Sequence, residues 1–198
     1  MHGRNFEKLA HKEELLNAIA ENNSSPKVAS FQADLSIFDE VNQLINDINH
    51  KHNTLDVIIN NAGVFKTSQP IARNGMDVRY VVNTLSPYLL SKGLMPLLAE
   101  DGRVINLSSA AQAPINLKAL AGDVQVNDDF QAYAQSKLAI TIWSQELAKE
   151  LKSNQIIIAV NLGSLLVSKM VEEGFGMAGN DISIGADILV RAALSENS

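Results

Sequence analysis

Three short apolar runs constrain this chain more than anything else in it. Leu55-Asp56-Val57-Ile58-Ile59, Val104-Ile105-Asn106-Leu107 and Ile156 to Val160 are rich in β-branched residues and lack strict polar alternation. Strands of that kind are buried on both faces, which is the condition of a parallel sheet covered by helices. Helical patterns separate them, so the expected fold is α/β, a Rossmann-like doubly wound parallel sheet in one domain spanning 1–198. Each run, and the shorter alternating Val28 to Ala33, stops at small or polar residues: Asp34-Leu35, Asn60 to Gly63, Ser108-Ser109 and Asn161 to Ser164. In this class ligands bind beyond the carboxyl ends of the strands. Those four clusters are therefore the candidate site.

The helices follow from periodicity. Leu9, Leu15, Leu16 and Ile19 mark a first one, which Pro26 ends. Ser36 is a plausible N-cap for a second, with Asp39 and Glu40 in its first turn and Ile37, Phe38, Val41, Leu44, Ile45 and Ile48 along one face. A long apolar segment from Met76 to Ala99 contains Asn83 and is expected to kink near Pro87. Phe130 to Lys152 reads as one amphipathic helix with Ile140, Trp143, Leu147 and Leu151 inward, and Ile184 to Leu194 as the last.

A formal charge of −6, without a Lys/Arg cluster, argues against a nucleic-acid partner. Cysteine is absent, which removes disulfides, thiolate metal sites and thiol nucleophiles and fits a cytoplasmic protein. Histidines 2, 11, 50 and 52 are the remaining soft ligands, and His50 and His52 are read as solvated surface residues, so no metal is expected. The longest apolar run, Ile156 to Val167, is too short to span a bilayer, and the first twenty residues lack an apolar signal core. No membrane association is expected.

Tyr133 and Lys137 stand one helical turn apart on the same face. A tyrosine with a pKa of about 10 becomes a proton-transfer group at neutral pH only if a cation stabilises its phenolate, and Lys137 is placed to be that cation. Alone, the pair is better read as a half-buried tyrosine beside a snorkelling lysine, and it needs further residues before it points to chemistry.

Taken with their neighbours, these residues resemble the short-chain dehydrogenase/reductase family. Asn60-Asn61-Ala62-Gly63 looks like the family's motif after its fourth strand, Asn83 like its helix asparagine, Ser109 like its catalytic serine, and Tyr133 with Lys137 like its Tyr-x-x-x-Lys pair. The twenty-four residues from Ser109 to Tyr133 are similar to the retinol-dehydrogenase-like branch. The resemblance implies hydride transfer between NADP(H) and an apolar carbonyl or alcohol substrate, NAD(H) being the lesser option. It implies Asn83, Ser109, Tyr133 and Lys137 as the catalytic set, with Asn83 holding a water that links Lys137 to solvent. Arg4 would receive the 2′-phosphate, Asp34 and Leu35 would flank the adenine, and Asn61, Ala62 and Gly63 would meet the adenosine ribose. Gly163, Tyr133 and Lys137 would complete the cofactor contacts, and a homo-oligomer is possible by analogy.

At the front the sequence departs from the family. The family's first strand and its glycine-rich turn are not in the sequence, its second strand survives only as final residues, and no strand follows the last helix. In strand order 3-2-1-4-5-6 the first strand lies between the second and fourth, so buried backbone groups would lose their partners. The expectation is that the natural protein begins upstream of Met1. The alternative is a non-catalytic truncated remnant. Gly174 to Gly179 spells G-x-G-x-x-G, but no strand leads into it, and mobile lid sequence over an apolar substrate is the better reading. Leu162 and Ser168 replace a proline and a threonine that are common in the family.

Overall fold

The computed structural model describes residues 1–22, 28–163 and 181–195. In chain order the elements are β1 (His2–Gly3), α1 (Phe6–Asn22), β2 (Phe31–Gln32), α2 (Phe38–Lys51), β3 (Leu55–Asn60), α3 (Val78–Tyr80), a π-helical turn (Val81–Leu85), α4 (Ser86–Leu94), a 3₁₀ turn (Met95–Leu97), β4 (Leu98–Leu107), α5 (Leu117–Leu120), α6 (Asp129–Ala148), β5 (Ile156–Val160) and α7 (Ile182–Leu194). All strand pairs are parallel. The strands form two separate sheets, β1-β2 and β3-β4-β5.

The main sheet is in register from Val57↔Arg103 to Asn60↔Asn106 and from Arg103↔Ile156 to Leu107↔Val160. Ahead of that, β4 bulges between its pairings with Leu55 and Val57. Gly102 makes the bulge possible, because a Cβ there would lie 2.7 Å from Leu98 Cγ and 2.9 Å from the Ala99 nitrogen. The core gathers Val41 and Leu44 of α2, Ile58, Val104, and Leu90 and Leu94 of α4.

Several expectations need correcting. β3 is not buried on both faces: Ile59 is 45% exposed, because β3 pairs only with β4 and its other edge faces a groove of about 250 Å³ lined by His2, Leu44, Ile58, Ile59, Pro87 and Leu90. The Val28 to Ala33 strand shrinks to Phe31–Gln32. Of the described apolar residues in α1 only Leu9 is buried, while Leu15, Leu16 and Ile19 are exposed. Ser36 does not cap α2; Ile37 takes that position without a side-chain bond. Asp34 Oδ1 instead accepts from the Ser36 nitrogen at 2.9 Å and the Ser36 hydroxyl at 2.7 Å, closing an Asx turn before the helix. The Met76 to Ala99 helix runs without a break from Val78 to Leu97, with its irregularity in the π turn just before Pro87, and Leu98 already belongs to β4.

Candidate active site

α6 can carry polar chemistry because small side chains let it lie close to the sheet. Ala132, Ala134, Ser136, Ala139 and Ser144 are buried along with Lys137. Asp128 caps it, accepting from the Gln131 nitrogen at 2.7 Å. Tyr133 projects from its second turn toward the end of β4, where the Ser109 hydroxyl lies close enough to favour the phenolate. Lys137 stands with its Nζ 5.7 Å from the centre of the Tyr133 ring. The Phe65 ring closes the other side, its centre 5.0 Å from that of Tyr133.

Burial decides the electrostatics. Lys137 is 4% exposed and donates to the Leu107 carbonyl at 2.6 Å, and burial pulls its ammonium down to about 8. Burial also raises the Tyr133 phenol above its ordinary value, an effect that the Ser109 hydroxyl partly offsets. Lys137 therefore does not by itself bring the phenol toward neutrality, contrary to the reading of the bare pair. Such a phenol holds its proton at neutral pH and can donate it.

Asn83 belongs to the same cluster, but its side chain is committed to the protein. Its Oδ1 accepts from the Val64 nitrogen at 2.7 Å, and its Nδ2 donates to the Val64 carbonyl at 2.9 Å and to Ser136 Oγ at 3.0 Å. The side chain pins the loop after β3 to α6. The main chain at Asn83 is different: the donor that an α-helix would aim at its carbonyl belongs to residue 87, and Pro87 has no N–H. The π turn sits at that place, as such turns do at functional sites.

Of the residues read as cofactor contacts, six divide between two hollows, and Tyr133, Lys137 and Gly163 line neither. Arg4, Asp34 and Gly63 line one of about 490 Å³, whereas Leu35, Asn61 and Ala62 line the groove beside β3. The β1–β2 register, His2↔Phe31 and Gly3↔Gln32, carries Arg4 to within 3.9 Å of Asp34. An acidic residue therefore neighbours Arg4. Gly163 follows β5 with a φ of 103°, a conformation natural to glycine. Ser164, Ser168, the lid and the Gly174 to Gly179 segment lie outside the described residues.

Sequence reasoning missed several contributors. Lys66, Thr67, Gln69 and Arg73 form the far wall of the larger hollow. Two cations just beyond the Asn60 to Gly63 motif were the available signal. Ser108 donates to the Lys137 carbonyl at 3.0 Å and bonds Thr141 at 2.7 Å, while Ser136 donates to the Tyr133 carbonyl at 2.6 Å, so both brace the helix around the pair. Among the described residues no cluster of three or more His, Cys, Asp or Glu could hold a metal. No described helix is long and apolar enough to cross a membrane.

Residues 3–175 match the short chain dehydrogenase family. Retinol dehydrogenase 12 of Bos taurus is 36% identical over 125 residues, which are 61% of this chain and 39% of that protein. Polyprenol dehydrogenase of Homo sapiens is 29% identical over 157 residues, 75% of this chain and 47% of that one. The chain thus spans less than half the length of these curated relatives. Among solved structures, a metagenomic short-chain oxidoreductase in complex with NADP aligns with a TM-score of 0.66 at 24% identity, over 100% of this chain and 80% of that one.

Proposed function

The chain belongs to the short-chain dehydrogenase family, and from that membership and the geometry around Tyr133 we propose an oxidoreductase that moves a hydride between NADP(H) and a carbonyl or alcohol. The observation that carries this reading is the buried Lys137 ammonium 5.7 Å from the centre of the Tyr133 ring, with Ser109 near the same phenol.

The side chains present fit such a cofactor. Arg4, Lys66 and Arg73 face a hollow whose one carboxylate, Asp34, is already paired with Arg4. That excess of positive charge, in a chain of net charge −6, favours a phosphate-bearing nucleotide and supports NADP(H) over NAD(H). Lys137 spends one N–H on Leu107, which leaves two for ribose hydroxyls. NADP(H), when bound, supplies the hydride in reduction and takes it in oxidation.

In reduction the Tyr133 O–H bond breaks as its proton passes to the carbonyl oxygen, and in oxidation the phenolate takes the proton from the alcohol. Ser109 hydrogen-bonds the same oxygen and orients it. Lys137 does not lower the phenol on its own, and its ammonium would hold the cofactor's ribose beside Tyr133. A water on the Asn83 carbonyl, whose α-helical donor Pro87 lacks, would connect Lys137 to solvent. Phe65 and Phe130, with ring centres 6.4 Å apart beside Tyr133, favour an apolar substrate. Tyr88 and Ile142 are exposed on α4 and α6, which supports self-association through those helices.

The test is NADPH oxidation by the protein with a panel of apolar aldehydes and ketones. Absence of turnover with cofactor demonstrably bound would sink the reading. One observation favours a second one, a remnant without productive cofactor binding: β1-β2 and β3-β4-β5 are separate sheets with an open groove between them. Calorimetric titration of the 198-residue chain with NADPH separates the two, since micromolar binding is incompatible with the remnant.

A further inference from the structure

Outside the proton-transfer cluster, α3 carries a deeply buried arginine. Arg79 is 1% exposed, and an ion taken that far from water costs several kcal/mol unless it is fully partnered. Its partners are two carboxylates. Nε and Nη2 reach Asp77 at 2.8 and 2.6 Å as a bidentate fork, and Nη1 pairs with Asp129. Asp77 also caps α3 through the Arg79 nitrogen at 2.8 Å. Asp129 lies in the first turn of α6, one turn before Tyr133 and on the same face. The guanidinium therefore ties the start of α3 to the start of the helix that bears the phenol.

The link is the first of a series. Tyr80 donates to Gln135 Oε1 at 2.9 Å, Asn83 to Ser136 Oγ at 3.0 Å, and Thr84 to the Ser136 carbonyl at 2.9 Å. Those bonds grip α6 just after Tyr133, whereas Arg79 grips it just before. Apolar residues of similar volume often stabilise a fold as well as a buried ion group does, so stability alone gives little reason for this one. What a planar fork between two carboxylates adds is a single permitted geometry.

We propose that Arg79 is a positioning residue for Tyr133, clamping the first turn of α6 so that the phenol meets Ser109 and Lys137. The role rests on the reading of Tyr133 as the proton-transfer group, but its structural part is tested independently. Asp129→Ala cuts the α6 arm and leaves the Arg79–Asp77 fork intact. The Asp129 side chain is 43% exposed, so the variant is expected to fold.

The first measurement is the phenol's titration, isolated as the near-ultraviolet difference between each protein and its Tyr133→Phe counterpart. Ser109, Lys137 and the Phe65 ring face the phenol in both backgrounds and are untouched. In Asp129→Ala the Tyr133 titration is expected to move down toward that of free tyrosine, about 10, as water reaches it. Asp129→Glu should restore it, and Glu146→Ala, farther along the same helix, should leave it unmoved. The second measurement is kinetic: kcat falls on the order of tenfold while KM for cofactor and carbonyl stays within about twofold. A titration curve that is unmoved or moves upward in Asp129→Ala overturns the proposal, even if melting temperature falls. Absence of turnover in the unsubstituted protein defeats the proposed function instead and leaves the titration to decide this role.

Discussion

The sheet β3-β4-β5 with α4 and α6 and the limb made of β1, α1 and β2 are built to different standards. A polar ladder crosses the first: Asn60 donates to Ser91 Oγ at 3.0 Å and Asn106 Oδ1 at 2.7 Å, and Asn106 donates to Ser144 Oγ at 2.8 Å. These side chains are nearly or fully buried and every one is partnered, so they lock register between two strands and two helices. The limb has two paired residues in each strand and a helix whose Leu15, Leu16 and Ile19 face water. The groups proposed for proton transfer stand on the over-determined part, whereas Arg4, proposed for the cofactor, stands on the limb. Geometry within a fraction of an ångström is needed for the first task and charge in a hollow for the second.

Breaking the chemistry of the rigid part should have the largest effect. Tyr133→Phe removes the transferable proton and leaves the ring, so turnover should fall on the order of a thousandfold with NADPH affinity nearly unchanged, as read by steady-state kinetics and titration calorimetry. Retained turnover would move the acid/base role to another group.

Breaking the ladder comes next. Asn106→Leu takes one of two partners from the Asn60 amide, which keeps Ser91, and one from the Ser144 hydroxyl, which keeps the Ile140 carbonyl, at a cost of about 2 kcal/mol in urea unfolding. A loss under about 1 kcal/mol would show that the ladder is ornamental to stability and that the contrast with the limb lies elsewhere.

Lys137 sharpens the comparison from the other side, because function there works against stability. Its folded pKa of about 8 lies below the ordinary 10.5, so between those values the unfolded chain binds more protons and stability rises with pH. Below pH 8 the burial penalty is present in full. Lys137→Met should therefore stabilise the protein near neutrality by about 2 kcal/mol, after allowing for the lost bond to the Leu107 carbonyl. The gain should shrink as pH rises from 8 toward 10.5, and a gain independent of pH in that window would exclude this cause.

What could be seen in the sequence follows the same division. β-branched runs and one-turn spacings are local, so the parallel α/β class, the Ser109 cluster and the Tyr133–Lys137 face were legible. The contacts that complete the site are not local. Arg79 meets Asp129 across fifty residues, and in sequence both look like ordinary solvated charges. Asn60 and Asn106 look like polar interruptions at strand ends until register sets them opposite each other. The Arg4–Asp34 pair exists only through the β1–β2 register, and the exposure of Ile59 and α1 depends on which strands lie side by side. Pro87 signalled a kink, and the kink takes the form of the π turn at Val81–Leu85, because Pro87 cannot give the Asn83 carbonyl its α-helical donor.

The smallest expected effect tests whether the two parts open separately. The Phe31 amide donates to the Met1 carbonyl at 2.9 Å and the Ala33 amide to the Gly3 carbonyl at 3.3 Å, while His2 Nε2 bonds the Ala33 carbonyl at 2.9 Å. His2→Ala removes one of these part-buried links, worth about 1 kcal/mol or less. If the limb opens on its own, hydrogen exchange at Phe31 and Ala33 should quicken up to about fivefold while Ile105 and Asn106 in β4 are unchanged. The Ser86 hydroxyl, which donates to the Leu35 carbonyl at 2.6 Å, is the contact that argues the other way, since it joins the chain just after β2 to α4. Equal acceleration at all four amides would mean that this bond and the core beneath it make one cooperative unit, and that the groove beside β3 does not divide the protein energetically.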